Sequence, residues 1–146
     1  WENVQKIKGF GTSRSRAKTV AAQPVVLKAI AKLANELTYS KDMKNEDNLV
    51  KLWRALESGE LDFSHSNPVW RSLMLDNNAR NDQYEDLNKY VHVPSGTNLD
   101  AGTYDSDNKW VRYGAKHNDI YPRIGDLIRY QLKFDPRPSV TKAINS

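Results

Sequence analysis

The chain has 146 residues, 38% of them hydrophobic and 27% charged, which is enough for one buried core. No apolar run approaches the roughly 18 residues of a spanning helix, so no membrane partner is expected. It has no cysteine, which excludes disulfide scaffolds, zinc ribbons and thiol nucleophiles and fits a reducing, cytoplasmic setting. The net charge is +4, but the first 35 residues set seven Lys and Arg against Glu2 alone while the rest carries a small acidic surplus. The basicity is N-terminal and points to nucleic acid or another anionic surface.

The chain opens on Trp1 rather than Met, shows no secretory pattern, and is expected to be a processed protein or a single domain within a longer one. Residues 4–10 partly alternate as a short strand does, and Gly9 and Gly11 break them. Residues 1–23 are expected to form a basic strand-and-loop arm, with TVAAQ (Thr19–Gln23) a short helical turn at its end. A helix is predicted over Pro24–Tyr39. Proline suits the first turn, and Leu27, Ile30, Leu33 and Leu37 follow at helical spacing, with Lys28 and Lys32 four apart on another face.

NEDNLVKLWRALESG (Asn45–Gly59) reads as a second helix, capped by Asn45, striped by Leu49, Leu52, Trp53 and Leu56, and ended by Gly59. SNPVWRSLML (Ser66–Leu75) starts a third at Asn67-Pro68, and DQYEDLNKYV (Asp82–Val91) a fourth. From His92 the pattern turns irregular, and GTY–DSDN–KWVRYG (Gly102–Gly114) predicts a hairpin. Helix returns at DIYPRIGDLIRYQLKF (Asp119–Phe134), Asp135-Pro136 stops it, and residues 136–146 are expected to be a loose tail. The predicted fold class is mainly α (α+β), with four to five short helices and one small β-hairpin.

The stretch KGFGTSRSRAKT (Lys8–Thr19) ends in Lys-Thr as a phosphate-binding P-loop does. That loop needs glycine immediately before the lysine so that its amides can wrap the phosphate. Ala17 stands there, and Gly11 is one residue too far from Lys18. Nucleotide hydrolysis is therefore not the reading. A less demanding role remains: Arg14, Arg16 and Lys18, continued by Lys28 and Lys32, offer five cations to one phosphate backbone, with Thr12, Ser13 and Ser15 as short donors. Such binding to DNA or RNA is salt-sensitive and weakly sequence-specific. The bland reading makes the same cations solubilising charge, or an arm that docks on an acidic protein partner.

Trp53, Trp70 and Tyr84 lie in helical stripes and are expected in the core, whereas Trp110 and Tyr113, beside Arg112 on the hairpin, are candidates for base stacking. In YGAKHNDIYPR (Tyr113–Arg123), His117 with Lys116 or Arg123 could supply part of a metal-independent ribonuclease, with His92 or His65 as second group. The plainer reading makes Asn118 or Asp119 a helix cap and His117 its exposed neighbour. No metal site and no cofactor are called for: DSDN (Asp105–Asn108) lacks the glycine and downstream glutamate of a calcium loop.

SRSRAK (Ser13–Lys18), the helical segment after it, NLVKLWRAL (Asn48–Leu56) and NPVW (Asn67–Trp70) together resemble the C-terminal part of DndB-like proteins. These are DGQHR-domain proteins associated with DNA phosphorothioate modification, in which a Ser-Arg-rich turn precedes a helix pair. The likeness spans Ser13–Trp70, and the DGQHR motif itself is absent, so no family active-site residue is placed on this chain. The resemblance implies a DNA-modification or DNA-binding regulatory setting rather than hydrolysis by these residues.

Overall fold

A computed structural model describes residues 19–39, 44–93, 101–114 and 117–146. A 3-10 turn, η1 (Val20–Ala22), leads into helix α1 (Pro24–Tyr39), followed by α2 (Lys44–Ser58). A longer 3-10 helix, η2 (Pro68–Met74), precedes α3 (Asn77–Gln83) and the turn η3 (Leu87–Lys89). Strands β1 (Gly102–Asp105) and β2 (Trp110–Tyr113) form an antiparallel hairpin, and α4 (His117–Gln131) and α5 (Pro138–Asn145) complete the chain. Among the described residues the fold is mainly helical with one two-stranded sheet, as the residue pattern implies.

Helix α1 is the central element and packs on both α2 and α4. It buries two adjacent rows, Val26, Ile30, Leu33 and Leu37 beside Val25 and Ala29, because two partners need a wider apolar face than one. Each such aliphatic side chain removed from water contributes about 1.5–3 kcal/mol. Trp70 is fully buried, stacks on Phe63 with ring centroids 5.2 Å apart, and donates its indole N–H to the Asp62 carbonyl at 2.7 Å. Trp53 and Tyr84 pack against the same core. Gly59, at φ 77°, takes the left-handed conformation just past the end of α2.

Several boundaries differ from expectation. The strand expected over residues 4–10 lies outside the described residues. Residues 19–23, expected as the end of an arm, belong to the core: Val20, Ala21 and Ala22 are buried, and the Val20 amide and Thr19 hydroxyl both donate to the Phe63 carbonyl, at 2.9 and 3.1 Å. An apolar Val-Ala-Ala run has nothing to gain from solvent. The third helix winds as 3-10, with the Trp70 amide bonded to the Asn67 carbonyl. The expected fourth helix is interrupted: α3 ends at Gln83 and η3 covers Leu87–Lys89, while Arg80, almost completely buried, ties the two by donating to the carbonyls of Ser72 and Leu75 and to the Asn88 side chain, at 3.1, 2.8 and 3.4 Å. That anchor organises the polar α3, which has no apolar periodicity to announce it.

The segment expected as a loose tail is helical from Pro138. Proline sits in its first turn, Val140 is buried, and Arg137 just before it grips Asp126 of α4 with two bonds of 2.6 and 2.7 Å. A bidentate ion pair holds this short segment, which buries only Val140, against the domain.

The hairpin forms at its predicted residues, with Gly114 closing the ladder onto the Ala101 carbonyl at 2.8 Å. Gly102 is obligatory: its φ is +135°, and a Cβ there would lie 2.0 Å from the Arg112 carbonyl oxygen. Two strands alone are marginal, and the outer edge of β2 is completed by side chains. His65 Nδ1 accepts the Val111 amide at 2.9 Å. The Gln23 side-chain amide donates to the Val111 carbonyl at 2.8 Å and accepts the Tyr113 amide at 3.0 Å. Gln23 thereby stands in for a third strand. Replacing it with Ala strands two backbone groups and is expected to destabilise the protein by about 1–3 kcal/mol. Urea unfolding measures the loss, and amide exchange at residues 111–113 should accelerate with it. A change within experimental error would show that the clamp is dispensable.

Candidate nucleic-acid interface

The α1–α4 contact runs along both helices in the same direction. Lys28 Nζ donates to Asn118 Oδ1 at 3.2 Å and lies 4.6 Å from the centre of the Tyr121 ring, while further along Glu36 accepts from Arg129 at 3.0 Å. Lys32 lies between these ends, exposed, on the rim of a groove that α1 and α4 line together. The last turn of α1 carries no basic residue, so Lys28 and Lys32 are not there to complement the helix dipole.

Of the sequence-predicted site residues, Arg14, Arg16, Lys18 and Lys116 lie outside the described residues. The fold brings Lys28 to the start of α4, where His117 is the exposed first residue. Arg123 is half-buried and bonds the Asp119 carbonyl at 2.7 Å. His65, one suggested partner for His117, is buried behind the hairpin with its Nδ1 engaged by Val111. On the hairpin, the half-buried Trp110 ring stacks at 28° to His65, 6.3 Å away, and the Arg112 guanidinium sits 5.2 Å from its centre. Arg112 is exposed, so this pair offers solvent a guanidinium plane, itself a surface on which bases stack. Tyr113 is half-buried against the core: it donates its hydroxyl to the Trp70 carbonyl at 2.5 Å, and burial pushes that hydroxyl well above the usual tyrosine range.

Four residues of the α1–α4 seam carried no weight in the sequence: Glu36, Asp126, Arg129 and Arg137. The usable signal is Asp126, a carboxylate set among Ile124, Leu127 and Ile128 in an apolar stripe. An acid so placed requires a cation brought from elsewhere in the chain. Burial pushes the Asp126 carboxyl above its ordinary range, and the bonds from Arg137 pull against that. For Arg137, burial works against the charge, and the bonds and charge of Asp126 outweigh it.

The fold and this seam define a small, mostly helical domain with cations along one helix face. The profile of the DndB family, described as DNA-sulfur modification-associated, matches residues 1–125, and the chain belongs to that family. The match is wider than the Ser13–Trp70 stretch that carries the resemblance, and reaches from the basic N-terminal segment into α4. No curated protein and no solved structure matches the chain. Among the described residues no helix is long and apolar enough to cross a membrane.

The Asp126–Arg137 pair yields a pH test. In Arg137→Ala the buried carboxyl loses its partner, and the cost is about 3 kcal/mol at neutral pH. The folded carboxyl releases its proton at higher pH than the unfolded one, so the folded state binds more protons above about pH 4 and stability falls as pH rises. Urea unfolding of variant and parent at pH 4 and pH 7 should show a deficit that is larger at pH 7. An equal deficit at both values would show that Asp126 is not the residue left stranded.

Proposed function

We propose that this domain contacts DNA as part of a DNA-sulfur modification-associated system, and that it does so chiefly through backbone phosphates. The family match over residues 1–125 carries the reading. The charge distribution supports it, because the cations are concentrated in the N-terminal part of the matched region. In this reading Arg14, Arg16 and Lys18 form the first part of the footprint, and Lys28 and Lys32 continue it along α1. Lys28 has three N–H donors, of which Asn118 takes one. Gln23 ties β2 to the start of that same helix, which makes the Trp110–Arg112 stack a second, smaller contact beside it. Phosphate contacts of this kind position a protein on a duplex without reading its sequence.

A fluorescent DNA duplex titrated at low and high salt tests the proposal. Binding is expected at low salt and should weaken steeply as salt rises. Changing Arg14, Arg16 and Lys18 together to Ala should flatten the plot of log affinity against log salt by a slope of roughly 3. No binding at low salt, or an unchanged slope in the triple variant, would sink the reading. Total RNA incubated with the protein should stay intact, whereas cleavage that His117→Ala abolishes would establish a ribonuclease in its place.

A further inference from the structure

Gly125 is buried in the middle of α4, yet a Cβ built on it meets nothing within 4 Å among the described residues. Its φ lies outside the positive region, so no backbone strain calls for glycine. In a helix interior glycine is less favourable than alanine by roughly 0.5–1 kcal/mol. Neither conformation nor packing explains it here. What an alanine methyl would remove is the space itself, at the floor of the groove between α1 and α4.

The walls of that space are cationic in balance. Lys32 stands on the α1 rim, and Arg129 and Arg137 reach in from the other side against Glu36 and Asp126. Asp126 is already taken by both bonds from Arg137. Arg129 is 12% exposed and gives Nη2 to Glu36, and its Nε is buried without a hydrogen-bond partner among the described residues. A buried donor left unmatched costs about 1–3 kcal/mol. The enclosed part of the groove admits about one oxygen-sized atom, and the rest is open to solvent.

We propose that this groove seats a phosphate group, with one oxygen over Gly125, held by Arg129 and Lys32 and opposed by Glu36. Glu36 is half-exposed on the rim, where it competes with the phosphate for the Arg129 guanidinium. The site is therefore weak by construction, suited to a group delivered as part of a larger polyanion. Through Lys32 it extends the proposed DNA surface, and it rests on that reading for the source of the phosphate.

The test uses the whole chain and two probes. Inorganic phosphate, compared with sodium chloride at matched ionic strength, should raise the unfolding temperature saturably. Gly125→Ala should unfold at the same temperature as the parent or higher without phosphate, yet lose the response. Arg129→Gln should weaken phosphate roughly tenfold or more, and Glu36→Gln should strengthen it, a sign that loss of a merely structural ion pair would not produce. No advantage of phosphate over chloride, or a full response in Gly125→Ala, overturns the site. With a DNA duplex as probe, Gly125→Ala should bind more weakly and with a shallower salt slope. Unchanged DNA affinity overturns the DNA source and assigns the groove to free phosphate. A parent protein that responds to phosphate but binds no DNA overturns the DNA reading alone, and the reverse pattern overturns only the groove.

Discussion

The outer edge of β2 must have its backbone groups satisfied, and much of the architecture answers that demand. A two-stranded sheet leaves one row of amides and carbonyls unpaired on each strand. Here Gln23 and His65 complete the β2 row with side-chain atoms. Gln23 comes from the turn before α1, and His65 from the loop before η2. The hairpin is thus tied to two segments that are themselves joined, because Val20 and Thr19 both bond the Phe63 carbonyl. Tyr113 adds a third tie, to Trp70 in η2. Through these bonds the start of α1 takes a defined place beside the hairpin, and Lys28, Lys32, Trp110 and Arg112 take theirs relative to it.

The second constraint is electrostatic. Along the α1–α4 seam three charges meet groups from another segment: Lys28 meets Asn118 and Tyr121, Glu36 meets Arg129, and Asp126 meets Arg137. These contacts differ in weight. The Glu36–Arg129 pair is half open to water and contributes little on its own, whereas Asp126 is almost fully buried and depends on Arg137. The strong pair holds α5 on the domain. The weak pair leaves Arg129 open to competition, which is why a groove with both signs of charge can still receive an anion.

Much of the fold was legible along the chain. Pro24 and the Leu27–Leu37 spacing locate α1 to the residue, and Gly59 marks the end of α2 through its left-handed backbone. The turn residues between Tyr104 and Trp110 locate the hairpin. Trp53, Trp70 and Tyr84 are placed in or against the core by their helical stripes. Two of the failures share one cause. Residues 77–83 carry no apolar period, and α3 exists because Arg80 reaches buried carbonyls of the preceding turn. Residues 138–145 are amphipathic but short and bury only Val140, and α5 is anchored by an ion pair between residues eleven apart in sequence. Local pattern reports apolar faces well and reports a single polar anchor hardly at all.

The same division runs through the candidate site. By itself the sequence determined that the positive charge is N-terminal, that a helix carries Lys28 and Lys32 on one face, and that Ala17 breaks the P-loop pattern. Periodicity and local charge are properties of neighbouring residues, so they survive without a fold. Only the tertiary structure decided that Tyr113 packs against the core, that Arg112 lies over Trp110, and that Glu36, Arg129 and Arg137 line one groove with Gly125. Each of these depends on the approach of segments far apart along the chain, and burial and partners, rather than residue type, set what an ionisable side chain does.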